Sequence, residues 1–374
     1  MPFLSSPDAA ILERLPDPVM VIAARRRDDP SDRRIAFANP AARELFRLNG
    51  DLRPLVSAVR HPKVLAAVDE TLFEGAEHEV AYDAVGAQDR HWLVLSRPLG
   101  EEGGVRLALV ILRDQTDARR SERLRADFLA NASHELRTPL ASLTGFIETL
   151  RGHAKDDPTA REHFLSIMQA QAERMRRLID DLMALSRIEL NEHIAPVGRV
   201  DLAGAAADVI DALAPQLAER GVRVAFAPPP ADATVEGDRD QIVQVLQNLI
   251  DNAVKYSPPG TAVRVEVEPG LTAEAAIAAR IEGAARQPLL TPDHDVAGRY
   301  VAVRVADAGP GMARQHLPRL SERFYRAPGQ KSGERSGTGL GLAIVKHIMN
   351  RHRGGLCVES AEGAGSAFTA YFPQ

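Results

Sequence analysis

The sequence predicts a multidomain α+β chain in three parts: an N-terminal α/β domain over residues 8–116, a two-helix hairpin over 117–190, and a C-terminal α/β sandwich over 195–374. Three observations lead there. Short apolar runs alternate with polar turns in the first third. An apolar rhythm of alternating four- and three-residue steps fills the middle. Helical and strand-like stretches then alternate as far as residue 374. A chain of 374 residues is long enough for each part to bury a core of its own.

Composition narrows the function classes. With 45% hydrophobic and 26% charged residues the chain reads as an ordinary globular protein. A formal net charge of -5 argues against a basic surface, so no nucleic-acid partner is expected. The single cysteine, Cys357, excludes an intrachain disulfide and a cysteine-based zinc site, and is compatible with a reducing compartment. No apolar run approaches the length of a membrane span, and "MPFLSSPDAAILERL" lacks the basic-then-apolar order of a signal peptide. The expected location is the cytoplasm, free or peripheral to the inner face of the membrane, with outside input arriving through a membrane-associated upstream sensor.

In the first domain "DPVMVIAA" and "RRIAFAN" are strand-like runs around a polar, proline-containing turn at residues 25–34. "PAARELFRL" reads as a helix with Pro40 in its first turn. "HWLVLSRPL" and "VRLALVILRD" are long strands on either side of the turn "GEEGG". This order, with "RDQT" leading into a helix, resembles a PAS sensor domain; a generic α/β dimerisation domain without a ligand is the alternative. The region holds no cysteine, which excludes cysteine–flavin photochemistry. His61, His78 and His91 are read as packing or surface residues, and no cofactor is expected here.

In the hairpin, Leu136, Leu140, Leu143, Ile147 and Leu150 form one apolar seam. Phe164, Met168, Gln171, Met175, Leu178, Leu182 and Leu185 form the other, with "GHAKDDPT" as the turn between them. One hairpin buries such a stripe poorly, so two copies are expected to pair as a homodimeric four-helix bundle. His134 lies two residues, about 200° of helix, from the seam residue Leu136 and is expected to face solvent. Glu135 can accept a hydrogen bond from one imidazole nitrogen, leaving the other as a nucleophile. Thr138, one turn on, shares the His134 face and could hold a water. Pro139 removes the amide that would bond the Glu135 carbonyl, which lets the helix bend beyond this turn.

Further on, "GDRDQIVQVLQNLIDNAVKYS" places Asn248, Asn252, Lys255 and Tyr256 on one helix face. Ile242, Val245, Leu249 and Ala253 fall on the adjoining face, which should pack against the sheet. Neutral amide oxygens suit a Mg²⁺ ion that already carries phosphate and water, and Lys255 can neutralise phosphate charge. The Tyr256 ring can pack near a sugar or base. "DAGPGM" follows the apolar strand "YVAVRVA" and supplies Asp307, Gly309 and Gly311. "GTGLGL" (Gly337, Thr338, Gly339, Leu340, Gly341) opens a helix whose first amides favour phosphate. Its spacing is not that of a P-loop, and no strand runs directly into it as in a dinucleotide-binding fold. Between these motifs "RFYRAPGQKSGERS" holds Phe324, Arg326, Lys331 and Arg335; its cations meet phosphates or keep the segment soluble.

Taken in order, "SHELRTPL", "NLIDNAVKYS", "DAGPG" and "GTGLGL" resemble the boxes of sensor histidine kinases from about residue 117 to 374. "LPRLSERFYR" and "GTGLGLAIVKHIMNRHRGGL" are most similar to the phosphate-regulon branch. The resemblance implies an ATP-binding, Bergerat-type third domain of the superfamily that includes DNA gyrase and MutL. It implies phosphorylation of His134, Glu135 as general base, and Thr138 in hydrolysis of the partner's phosphoaspartate. It also makes Asn252 a Mg²⁺ ligand with Asn248 its companion, and Asp307 the acceptor of the adenine amino group. Gly309 and Gly311 would let the backbone approach the base, Phe324 would be the F-box aromatic, and Arg326 would belong to a lid over ATP. The partner implied is the receiver domain of a cognate response regulator. A superfamily ATPase or chaperone would give no reason for the His134–Glu135–Thr138 cluster, and a pseudokinase scaffold none for intact nucleotide boxes. Arg137 is open between an anchoring role and a solvated helix charge. The chain departs from the branch in two ways: it lacks the usual membrane spans, and residues 268–299 separate two strands that the family joins by a short turn. No chemical role is assigned to that stretch.

Overall fold

A computed structural model describes residues 6–48, 53–84, 90–229, 231–292, 298–327 and 337–374. The chain divides into two compact units, Met1–Ala130 and Asn131–Gln374.

The first unit is built on an antiparallel sheet of five strands: β1 (Val19–Ala24), β2 (Arg34–Ala38), β3 (His78–Ala84), β4 (Arg90–Glu102) and β5 (Val105–Asp114). Their order is β2-β1-β5-β4-β3, so the last strand is inserted beside the first. Helix α1 (Ser6–Glu13) precedes the sheet, and α2 (Pro40–Phe46), α3 (Leu55–Ala58) and α4 (Pro62–Glu74) lie between β2 and β3. Asn39 starts α2. Its side chain accepts from the amides of Val19 and Ala42 and donates to the carbonyls of Leu15 and Asp17, so this buried amide is fully used. Val64, Val68 and Leu72 of α4 pack on Trp92, Val94 and Leu112 of the sheet. The sequence reading found the strands β1, β2, β4 and β5 and the helix α2. It assigned nothing to α4 or β3.

The second unit contains most of the first long helix, α5 (Thr116–Arg151), and all of the second, α6 (Pro158–Leu190). Asp157 caps α6 by accepting from the amides of Thr159 and Ala160, with Pro158 in the first turn. Leu178, Leu185 and Ile188 are buried, whereas Leu140, Ile147, Ile179 and Met183 stay half exposed in the single chain. The apolar stripe is therefore wider than one hairpin can cover.

After α6 a ribbon of β6 (Arg199–Asp201) and β8 (Thr234–Glu236) brackets α7 (Leu202–Ala212), α8 (Ala214–Arg220) and β7 (Arg223–Phe226). The sequence reading made α7 and α8 one helix. They break at Leu213, because Pro215 has no amide to bond the Asp211 carbonyl. Helix α9 (Arg239–Tyr256), β9 (Ala262–Leu271), α10 (Ala273–Ala276), β10 (Ala285–Leu290), β11 (Tyr300–Asp307), α11 (Gly341–Arg351), β12 (Gly355–Ala361) and β13 (Gly365–Pro373) complete the unit. Its main sheet runs β10-β12-β13-β11-β9-β7, with only β7 and β9 parallel.

Residues 268–299, read from sequence as one long connection, contain α10 and β10. The strand pairs with β12 and extends the sheet. An ion cluster anchors it: the Arg280 and Ile281 amides donate to Glu359 at 2.8 and 2.7 Å, and Arg304 donates to the same carboxylate at 3.1 Å. Arg280 also reaches Glu266 and Glu268 of β9.

Ile242, Val245, Leu246, Leu249 and Ile250 bury one face of α9 completely. Truncating Leu249→Ala removes apolar contact and leaves a cavity, an expected loss of roughly 2–5 kcal/mol in the unfolding of this unit. Denaturant melts followed by hydrogen exchange within α9 check this.

Candidate functional site

Asp238 caps α9 by accepting from the amides of Asp240 and Gln241, and the apolar face locks the helix on the sheet. Those two constraints fix the rotation of the opposite face. Asn248, Asn252, Lys255 and Tyr256 consequently line one cavity of about 540 Å³, a volume typical of small-molecule sites. Asp307 at the end of β11, Gly311 beyond it, Arg326, Gly337, Thr338 and Gly339 before α11, and Gly341 at its first position line the same cavity. Gly309, Phe324 and Leu340 do not line it but shape its wall. The Gly309 amide donates to Asp307 Oδ1 at 2.8 Å, the Phe324 amide to the Gly339 carbonyl at 2.8 Å, and the Leu340 amide to Thr338 Oγ1 at 3.2 Å. Lys331 and Arg335 lie outside the described residues.

Two glycines here have no substitute. Gly311 has φ +67° and a Cβ there would overlap the Ala361 carbonyl oxygen; Gly339 has φ +75° and lies against the Phe324 backbone.

Burial sets the charge states. The Asp307 carboxyl is pushed up to about 6 by desolvation, which outweighs the amides of Gly309 and Ser366 that favour its ionised form. Burial, helped by the nearby Arg326 guanidinium, pushes the Lys255 ammonium down to about 8. The Lys255 Nζ sits 4.9 Å from the centre of the Tyr256 ring. Asn248 Nδ2 is buried and has no hydrogen-bond partner. An orphaned amide at a cavity wall fits a ligand that brings polar atoms. Among the described residues no cluster of three or more His, Cys, Asp or Glu could hold a metal by itself. The two asparagine amides therefore fit Mg²⁺ only when phosphate and water complete its shell.

One wall of the cavity was missed in the sequence. Helix α6 contributes Arg174, Arg177, Asp180 and Asp181. Thr338 Oγ1 donates to Asp181 Oδ2 at 2.6 Å, and burial raises the pKa of that carboxyl. Further along, Arg323 donates to Glu189 at 2.5 Å, Asn350 donates to Glu192 at 2.6 Å, and Arg351 donates to the Ile194 carbonyl at 3.0 Å. Steps of three and four from Arg174 through Arg177 to Asp181 are a second, polar stripe beside the apolar seam. That signal was present, and only the seam was read.

His134 is exposed on α5, as its rotation from Leu136 requires. Glu135 does not bond the imidazole. Its Oε2 accepts from Arg174 Nη2 at 3.0 Å, because a guanidinium is a stronger, charge-assisted donor. Thr138 Oγ1 donates to the His134 carbonyl at 3.2 Å, and Arg137 is exposed. Arg174 thus touches both Glu135 and the cavity.

Carbon-13 NMR of the Asp307 carboxyl is expected to show a midpoint near pH 6; a midpoint at about 4, the ordinary aspartate value, would contradict its desolvation. A polyanion entering the cavity should restore the Lys255 ammonium and take up a proton near pH 8. Calorimetry in buffers of different ionisation enthalpy measures that uptake.

Residues 124–191 match the His Kinase A (phospho-acceptor) domain, and residues 237–374 match the histidine kinase-, DNA gyrase B-, and HSP90-like ATPase family. The chain is 30% identical over 354 residues to the phosphate regulon sensor protein PhoR of Pseudomonas aeruginosa, covering 91% of this chain and 70% of that protein. It is 34% identical over 280 residues to the sensor-like histidine kinase SenX3 of Mycobacterium tuberculosis, covering 74% of this chain and 60% of the relative. A solved structure of the histidine kinase ThkA in complex with the response regulator protein TrrA aligns at 20% identity and a TM-score of 0.49, covering 97% of each chain.

Proposed function

The chain belongs to the sensor histidine kinase family, and on that footing we propose that it transfers the terminal phosphoryl group of ATP to His134 and then to an aspartate of a response regulator. The observation that carries this reading is the single cavity that gathers Asn248, Asn252, Lys255, Tyr256, Asp307 and the glycine turn against the hairpin that bears His134.

In this reading Asp307 accepts from the adenine amino group, while Gly309 and Gly311 let the backbone approach the base. Tyr256 borders the base or sugar. Lys255, Arg326 and the amides at the start of α11, with Thr338 among them, meet the phosphates. Asn252, with Asn248 beside it, would hold Mg²⁺, which when bound neutralises phosphate charge. A ring nitrogen of His134 attacks the terminal phosphorus in line. The N–P bond forms as the bond to the bridging oxygen breaks, ADP leaves with the electron pair, and Glu135 takes the imidazole proton. The phosphoryl group then passes to the carboxylate of a separate receiver domain. Thr138, held against the His134 carbonyl, supports hydrolysis of that acyl phosphate through a bound water.

Four wider assignments belong to the same proposal. The half-exposed stripe of Leu140, Ile147, Ile179 and Met183 supports a homodimeric four-helix bundle. The strand order β2-β1-β5-β4-β3 with its intervening helices supports a PAS-like sensor over residues 8–116, followed by a phosphotransfer hairpin over 117–190 and an ATP-binding domain over 195–374. No described helix is long and apolar enough to cross a membrane, which is consistent with a cytoplasmic location. The similarity to PhoR supports a role in phosphate-starvation signalling.

Incubation with γ-labelled ATP should give an acid-labile, base-stable phosphoprotein. His134→Ala is expected to abolish that label while nucleotide binding persists; acid-labile label remaining in the variant would sink the assignment. Asp307→Asn should lower ATP affinity by about tenfold or more, since the adenine amino group loses a charged acceptor. In the unaltered chain, affinity should rise from about pH 5 to about pH 7 as Asp307 ionises, and the variant should lack that inflection.

A further inference from the structure

Arg174 stands at the junction of two sites. Its Nη2 donates to Glu135 Oε2 at 3.0 Å, and the same residue lines the cavity with Asn252, Lys255 and Thr338. Helix α6 orders these contacts. Asp181, bonded to Thr338 at 2.6 Å, marks the glycine turn where phosphate would sit. Arg177 lies one turn back from Asp181 and Arg174 a second turn, about 10 Å along the helix in all. Arg174 is therefore the α6 cation that reaches from the cavity wall to the residue next to His134. The side chains of Arg174 and Glu135 are 28% and 36% exposed, so solvent screens the pair and keeps it weak. A terminal phosphate carries more charge than a carboxylate and accepts the guanidinium fork through two oxygens, so it competes well for the same donor.

We propose that Arg174 is a positioning residue that holds Glu135 away from the His134 ring until the terminal phosphate of a bound nucleoside triphosphate takes over its guanidinium. This rests on the reading that His134 is phosphorylated from this cavity. With the cavity empty, or holding a diphosphate, Glu135 stays on Arg174 and the imidazole lacks its base. With a triphosphate, the guanidinium turns to the phosphate and Glu135 is released beside the nucleophile. Charge stabilisation and base activation then arrive together, and only for the nucleotide that can react. Glu135 and the terminal phosphate compete for one donor, so each weakens the other's hold by the same factor.

The test is equilibrium binding of a non-hydrolysable ATP analogue and of ADP to the 374-residue chain in a His134→Ala background. Neither ligand can donate a terminal phosphoryl group, so the result stands whether or not His134 is the phosphoacceptor. Arg174→Ala should weaken the analogue about tenfold and leave ADP within about twofold, the retained ADP affinity reporting an intact fold. Glu135→Gln should tighten the analogue by about threefold, because the competitor is gone, again without moving ADP. Arg174→Lys should recover part of the analogue affinity. Arg176→Ala, exposed on the same helix and outside the cavity, should move neither nucleotide. A purely structural ion pair would leave the ratio of the two affinities unchanged in both Arg174→Ala and Glu135→Gln, or would lower both nucleotides equally; either result overturns the proposal.

Discussion

Everything in the site depends on how α9 is seated. Five fully buried aliphatic side chains press one face of that helix onto the sheet, and a capping aspartate fixes where it starts. A helix pinned in rotation presents its other face in one direction only. Two asparagines, a lysine and a tyrosine therefore reach the cavity together, although no bond joins the asparagines to the lysine. The desolvation that depresses the Lys255 pKa and raises that of Asp307 comes from the same close packing. Burial at this cavity holds both groups away from their ordinary charge states, a cost that a polyanionic, amine-bearing ligand would recover.

The second organising contact is between α6 and the C-terminal lobe. Asp181 and Glu189 of α6, with Glu192 just beyond its end, are met by Thr338, Arg323 and Asn350. Most of these bonds are polar and partly exposed, so each is worth little alone and the set can be exchanged for another. On the proposed function, that suits a lobe which carries nucleotide to His134 and then withdraws. Tight apolar packing between the same surfaces would favour one arrangement too strongly for such a cycle.

Much of the chemistry was legible because it lies in short, contiguous runs. His134, Glu135 and Thr138 fall within five residues, and each nucleotide motif is a single stretch next to an element boundary. The exposure of His134 followed from a 3.6-residue period alone. What could not be read was long-range. The pairing of Glu135 with Arg174 joins residues 39 apart, and no local pattern in the sequence points to it. Strand β10 reads weakly because "ARQPLL" carries a proline, a residue strands tolerate at a sheet edge, which is where β10 lies. The amphipathic pattern of α4 was present in "KVLAAVDETLF" and went unread, so strand β3 after it lost its context.

The claim that matters most is that phosphorus leaving the nucleotide cavity arrives on one imidazole. The direct measurement is to incubate the intact chain with ATP, digest it at alkaline pH where a phosphoramidate survives, and locate the modification by tandem mass spectrometry. The account predicts a phosphoryl group on the peptide containing "ASHELR", assigned to His134. A modification confined to a hydroxyl or carboxylate side chain, or a chain that consumes ATP and carries none, would contradict it.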